Sequence, residues 1–229
     1  MKLTNILDVY FDLDHTLWDF DKNSSLAFQE IFEDQKLEIE LQEFLKIYMP
    51  INHQYWKSYR NNLVSKEDLR YGRLKDSFEA LKFEVNDTLI SKMAEDYINY
   101  LPNNNHLLDG AVDILRYLSA SYNLHIITNG FEEVQHLKMK KSGILEYFRT
   151  VTTSEEAGVK KPHSLIFEKA IGKGTGKPET SVMIGDNFEA DICGGHQYGM
   201  KVIYLDSSED NCSNEHPRIQ KLKQLRDYL

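Results

Sequence analysis

Short apolar runs alternating with amphipathic ones constrain this chain more than any other feature. From about Leu107 onward, strand-like runs at Leu124–Thr128, Arg149–Thr153, Val182–Ile184 and Lys201–Leu205 are separated by helix-like stretches. Those stretches lie near Ala111–Ser119, Glu132–Lys141, Ser164–Ala170 and Phe188–Tyr198. Strands that are apolar on both faces need cover on both, and a helix between successive strands makes them parallel. The expectation is an α/β fold, a parallel sheet with helices on both faces. A further apolar run, Ile6–Leu13, belongs in that sheet by its chemistry, although residues 17–106 separate it from the rest.

The intervening residues read as helices. Phe28, Ile31 and Phe32 keep helical spacing, as do Leu41, Phe44, Leu45 and Tyr48 ahead of Pro50. Ser65-Lys66-Glu67-Asp68 has the pattern of a capping box, and Leu74, Phe78 and Leu81 follow on one face. Ile90, Met93, Ala94, Tyr97 and Ile98 form the clearest stripe. The expected organisation is a core of residues 1–16 and 107–229, with residues 17–106 inserted as an all-helical unit. Pro102–Asn105 is the expected hinge back into the core.

The ends of the strand-like runs carry the chemistry. Ile6–Leu13 leads into Asp12 and Asp14, then Thr16. Side chains two apart on a strand share a face, and two acids there repel unless a cation or a shared proton offsets the charge. His125-Ile126-Ile127-Thr128 ends in a hydroxyl, followed by the turn signal Asn129-Gly130. Gly158-Val159-Lys160-Lys161-Pro162 places a lysine directly before a proline. Ser181-Val182-Met183-Ile184-Gly185-Asp186 is followed by Glu189 and Asp191.

This four-part pattern resembles the haloacid dehalogenase superfamily, in particular its magnesium-dependent phosphatases. The resemblance implies a Rossmann-like core with a helical cap and hydrolysis of a phosphomonoester through an aspartyl phosphate. By that resemblance Asp12 is the nucleophile and Asp14 the general acid and base. Thr128 and the Asn129 backbone N–H bind the phosphate with Lys161, the lysine before proline, while Lys160 is solvated. Magnesium, a hard ion that prefers oxygen ligands, is implied on the Asp12 carboxylate, the Asp14 carbonyl and Asp186. Asp191 is implied behind them, orienting a metal-bound water or Lys161. Relatives often carry glycine where His15 stands here. Gly194-Gly195, unfavourable inside a helix, fits close packing of helix on sheet.

Thr128-Asn129-Gly130-Phe131 and Trp18-Asp19-Phe20 look most like the bacterial 5′-nucleotidases acting on pyrimidine nucleotides. Sugar-phosphate or sialic-acid-phosphate phosphatases and phosphoglucomutases of the same fold are the alternatives. A dehalogenase is disfavoured, since those enzymes lack the second aspartate. Trp56, Tyr59, Arg60, Arg70 and Arg73 are candidate leaving-group contacts in the insertion.

Composition narrows the partners. The formal charge of −9, from 27 Lys and Arg against 36 Asp and Glu, disfavours nucleic acid polymers and anionic membranes. A small phosphorylated metabolite is the expected partner. The only cysteines, Cys193 and Cys212, make no disulfide framework. With no signal-peptide pattern and no apolar stretch near the roughly 18 residues that span a bilayer, a cytoplasmic setting is expected. Gly172-Lys173-Gly174-Thr175-Gly176-Lys177 matches neither nucleotide-loop pattern and reads as a flexible connection.

Overall fold

A computed structural model describes residues 2–206 and 216–229 of the chain; Cys212 lies outside the described residues. Its centre is a sheet of β1 (Asp8–Phe11), β2 (Asn123–Thr128), β3 (Phe148–Thr153), β4 (Ser181–Gly185), β5 (Lys201–Leu205) and β6 (Arg218–Ile219). The strands lie in the order β3-β2-β1-β4-β5-β6 and every pairing is parallel. The parallel α/β sheet expected from the apolar runs is therefore the one that forms.

β1 lies between β2 and β4, with Phe11 in register with Ile126 on one side and Ile184 on the other. The chain winds outward in opposite directions from β1, which opens a crevice at the carboxyl ends of β1, β2 and β4. β1 and β4 are buried throughout. Tyr10, Ile127, Phe167, Met183, Ile192 and Val202 are among the side chains that form the apolar core on the sheet.

Two compact units result, residues 1–20 with 105–229, and residues 21–104. Residues 17–20 pack with the sheet unit: Leu108 N–H bonds to the Leu17 carbonyl at 2.9 Å and Asp19 N–H to the His106 carbonyl at 3.1 Å.

The second unit comprises α1, which starts at the boundary (Phe20–Gln35), α2 (Leu41–Arg60), α3 (Lys66–Leu81) and α4 (Asp87–Tyr100). Phe28 of α1 is central to its core, with its ring 5.0, 4.6 and 4.7 Å from those of Phe44, Tyr48 and Tyr97. The capping box forms: Asp68 N–H bonds to Ser65 Oγ and Ser65 N–H to Asp68 Oδ2, both at 3.0 Å. Helix α2 differs from expectation by running on through Pro50. Proline inside a helix costs about 3 kcal/mol. Burial of Phe44, Leu45 and Tyr48 before it, and of Asn52 and Tyr59 after it, outweighs that cost.

The sheet is packed by α5 (Ala111–Ser119), α6 (Glu132–Lys141), α7 (Ser154–Ala157), α8 (Ser164–Lys173) and α9 (Gly194–Gln197). The regular helix expected over Phe188–Tyr198 is instead a wide π-helical stretch, Phe188–Cys193, leading into α9. The glycine pair does serve close packing. A Cβ on Gly194 would press on Pro162, and one on Gly195 on Met183 of β4. Two-residue β6 was not foreseen, being too short to show a pattern.

The Gly172–Lys177 connection is pinned and not loose. Asp8, fully buried at the start of β1, accepts the N–H groups of Thr175 and Gly176. A carboxylate of the chain itself thus occupies the backbone donors that a phosphate loop would offer. Among the described residues no helix is long and apolar enough to cross a membrane.

Candidate active site

The crevice at the strand ends gathers Asp12, Asp14, Thr128, Asn129, Lys161, Asp186 and Asp191, whereas the candidate leaving-group contacts Trp56, Tyr59, Arg60, Arg70 and Arg73 lie on α2 and α3 of the helical unit. Asp12 follows β1 and stays in place through its N–H, which bonds to the Ile184 carbonyl of β4 at 2.9 Å. Its carboxylate is buried, with Oδ1 2.6 Å from Lys161 Nζ. Lys161 is 1% exposed; its Nζ donates to Asp12 Oδ1 and to the Ile127 carbonyl, each at 2.6 Å, and forms an ion pair with Asp191 Oδ1 at 2.7 Å. Burial works against the Lys161 ammonium, but Asp12 and Asp191 together outweigh it and hold its pKa above the ordinary lysine value. Lys160 is half-buried and not fully solvated, and burial lowers its pKa.

Asp191 reaches Lys161 because the wide turn after β4 folds its side chain inward. It is 1% exposed, and its Oδ2 accepts the Asn187 N–H at 3.0 Å. Asp186, at the end of β4, accepts from the Thr16 hydroxyl at 3.1 Å, while its own N–H donates back to Thr16 Oγ1 at 3.1 Å. Thr16 thereby ties the loop after β1 to the end of β4. Its spacing after Asp14 was visible in the sequence, but nothing there revealed its partner.

Asp12, Asp186 and Asp191 each bring a carboxylate oxygen within 4.8 Å of the others. Burial pushes the Asp12 carboxyl up to about 7 against the opposing pull of Lys161, with Asp191 adding to the rise. Burial, Asp12 and Asp191 raise Asp186 well above the usual carboxylate range. These shifts express surplus negative charge in a dry, all-oxygen cluster, and that donor set suits a hard divalent cation.

Asp14 projects beside this cluster, and its two oxygens are held by α6. Lys138 Nζ lies 2.7 Å from Oδ1, and Gln135 Nε2 donates to Oδ2 at 3.0 Å. Directly after Asp14, His15 adopts φ +59°, the left-handed region that favours glycine; its ring packs 5.0 Å from that of Phe20. Thr128 is buried at the end of β2, and Asn129 follows it with its side chain bonded to the Lys161 backbone.

Sequence reasoning missed Gln135 and Lys138, and it noted Thr16 without a role. The signal for the first two was weak: on α6 the buried face carries Val134, Gln135, Lys138 and Met139, while Leu137 points outward at 43% exposure. Reading apolar residues as the inner face would place the helix in the wrong rotation.

Comparison with known proteins identifies the family and relatives of the chain. The model of a family described as haloacid dehalogenase-like hydrolase matches residues 9–205. The chain is 32% identical to pyrimidine 5′-nucleotidase YjjG of Escherichia coli (strain K12) over 201 residues, 87% of this chain and 85% of the relative. It is 33% identical to pyrimidine 5′-nucleotidase PynA of Streptococcus pneumoniae over 196 residues, 85% and 81% of the two chains. The crystal structure of the HAD-hydrolase YfnB of Bacillus subtilis, bound to magnesium, superposes with a TM-score of 0.86 at 25% identity, covering 97% of both chains.

Proposed function

The chain belongs to the haloacid dehalogenase-like hydrolase family and is a phosphatase of that family; on that premise we propose that it hydrolyses nucleoside 5′-monophosphates through a phosphorylated Asp12, with magnesium as cofactor. The observation that carries this reading is the buried Asp12 carboxylate at the end of the central strand, with one oxygen 2.6 Å from Lys161 Nζ. An isolated buried carboxylate would be neutralised by protonation. One paired with a buried lysine is pulled back towards the ionised, nucleophilic form, and a cation on the cluster would add to that pull.

In the proposed reaction the free oxygen of Asp12 attacks phosphorus and the bond to the leaving alcohol breaks. Asp14 supplies the proton that the departing oxygen needs. It then takes a proton from the water that attacks phosphorus of the aspartyl phosphate, which releases inorganic phosphate and restores Asp12. The Thr128 hydroxyl and the Asn129 N–H hold phosphate oxygens, and Lys161 balances their charge. A magnesium ion held by the Asp12 carboxylate, the Asp14 carbonyl and Asp186 would offset the repulsion between carboxylate and phosphate dianion. The helical unit serves as the cap and chooses the leaving group. Support for a nucleotide comes from the two pyrimidine 5′-nucleotidases that match most of the chain.

A panel of phosphomonoesters, assayed with magnesium and with chelator, tests the proposal. Deoxyuridine or thymidine 5′-monophosphate is expected to outperform sugar phosphates, and chelator to abolish turnover. Asp12→Asn is expected to cost at least about a thousandfold. A hexose phosphate that wins by tenfold, about 1.4 kcal/mol, would overturn the nucleotide reading and leave the phosphatase standing. Substantial turnover by Asp12→Asn would sink the aspartyl phosphate.

A further inference from the structure

Helix α6 buries two polar side chains where a helix packed on a sheet ordinarily buries apolar ones. Gln135 is 1% exposed and Lys138 2%. Burying an amide and an ammonium is costly unless both are bonded, so their partners are informative.

Gln135 Nε2 donates to Thr128 Oγ1 at 2.7 Å and to Asp14 Oδ2 at 3.0 Å, one bond for each amide hydrogen. The Gly130 N–H donates to the same Thr128 Oγ1 at 3.0 Å. A hydroxyl oxygen accepts two hydrogen bonds and donates one. With both acceptor positions of Thr128 filled by protein N–H groups, its own hydrogen is left to donate outward. A side chain at residue 130 would overlap the Gln135 amide, so glycine there is what admits it. Gln135 Oε1 is buried and has no hydrogen-bond partner among the described residues. The amide therefore sits where its nitrogen is needed, at the expense of its oxygen.

Lys138 completes the arrangement. Its Nζ lies 2.7 Å from Asp14 Oδ1 and 4.3 Å from the centre of the Trp18 ring. The indole is fixed in turn by its Nε1–H, which donates to Ser142 Oγ at 3.1 Å. An ammonium between a carboxylate and an aromatic face has little freedom. The Asp14 carboxyl is thus held at both oxygens from one helix.

We propose that Gln135 and Lys138 are positioning residues of the phosphatase reaction: Gln135 makes Thr128 an obligate donor to the substrate phosphate, and the two together fix the Asp14 carboxyl for proton transfer to the leaving oxygen. This rests on the roles given to Thr128 and Asp14 in the proposed function. Both act through Thr128 and Asp14, with which they bond.

The consequence is a dependence on the leaving group. A nitrophenolate departs readily without a proton, whereas the alkoxide of a nucleoside does not. The test compares p-nitrophenyl phosphate with thymidine 5′-monophosphate, and adds inhibition by inorganic phosphate, in Lys138→Met, Lys138→Arg, Gln135→Leu and Asp14→Asn. Lys138→Met is expected to lose about tenfold more kcat on the nucleotide than on the aryl ester, and Lys138→Arg to recover much of that difference. Gln135→Leu is expected to raise the inhibition constant for inorganic phosphate about tenfold, and it gives an independent reading should Lys138→Met not fold. A purely structural role would lower both substrates in parallel with thermal stability. Parallel losses in Lys138→Met, or an unchanged phosphate constant in Gln135→Leu, overturn the proposal. Asp14→Asn separates the two kinds of failure. If it treats the two substrates alike, the general-acid reading falls and takes this one with it; if it discriminates where Lys138→Met does not, only the tether is wrong.

Discussion

Asn129 and Lys161 hold each other by two reciprocal hydrogen bonds. The Lys161 N–H donates to Asn129 Oδ1 at 2.8 Å, and Asn129 Nδ2 donates to the Lys161 carbonyl at 3.0 Å. This clamp joins the loop before Pro162 to the end of β2, which is why one ammonium can reach Asp12, Asp191 and the Ile127 carbonyl together. Asn129→Ala is expected to lower kcat about tenfold while costing about 1–2 kcal/mol of stability. Steady-state kinetics on an aryl phosphate, with urea unfolding alongside, measures both. Unchanged kcat would show that the clamp does not aim the lysine.

The two adjacent lysines are expected to differ sharply. Lys161→Ala removes a preorganised, buried cation, at a cost of about 3 kcal/mol or roughly a hundredfold in turnover. Lys160→Ala should stay within about threefold, because the ammonium beside Asp12 and Asp191 is that of Lys161. Equal effects of the two substitutions would contradict the geometry around Lys161.

The acid limit of stability should trace in part to Asp8 and His125. The His125 ring stacks on Tyr10 at 4.6 Å, with Nε2 3.3 Å from Asp8 Oδ1 and Nδ1 2.7 Å from Thr150 Oγ1. Burial lowers the His125 pKa against the opposing effect of Asp8. Burial alone would raise Asp8, but bonds from Asn123, Gly176 and His125 outweigh it and lower its pKa. The unfolded chain therefore takes up His125's proton near pH 6.5 and Asp8's near 3.9, before the folded protein does. Both groups lend stability at neutral pH that is lost on acidification, His125 first, by at most about 1.4 kcal/mol per pH unit. Thermal melts between pH 7.5 and 5 should fall less steeply for His125→Gln than for the unaltered protein. Parallel curves would remove His125 from the account.

Arg73 is expected to act on stability. It is 2% exposed within the helical unit, with Nη1 2.8 Å from Asn52 Oδ1 and its guanidinium 4.8 Å from the Tyr97 ring centre. Arg73→Ala should cost about 2–4 kcal/mol through lost packing and the lost bond to Asn52, which among the described residues keeps only the Tyr48 hydroxyl at 3.4 Å on its Oδ1. Arg73→Met, which keeps the volume without the charge, should cost much less. Urea midpoints for the two variants decide the matter, and equal losses would mean that the charge itself matters.

Patterns contained within a few consecutive residues were legible in advance. The apolar run and its limits at Lys201–Leu205, the helices Ala111–Ser119 and Glu132–Lys141, and the Ser65 capping box all formed as read. Each depends on periodicity or on a bond between near neighbours. Helix α2 passing Pro50 was not legible, because its gain comes from aromatic packing supplied by α1 and α3. The pinned Gly172–Lys177 loop was misjudged for the same reason, since the carboxylate that holds it belongs to Asp8.

The residue types and order of Asp12, Asp14, Thr128, Lys161 and Asp186 by themselves determined which strand ends would carry chemistry, because a parallel sheet places every such end on one edge. What only the tertiary structure decided is how those groups are held. Asp14 takes its partners from 121 and 124 residues away, and Asp12 its lysine from 149 away. Contacts at such separations leave no local period in the sequence. They arise when the sheet sets β1 beside β2 and β4, and when the rotation of α6 is fixed by bonds to Thr128 and Asp14, with Leu137 left outside.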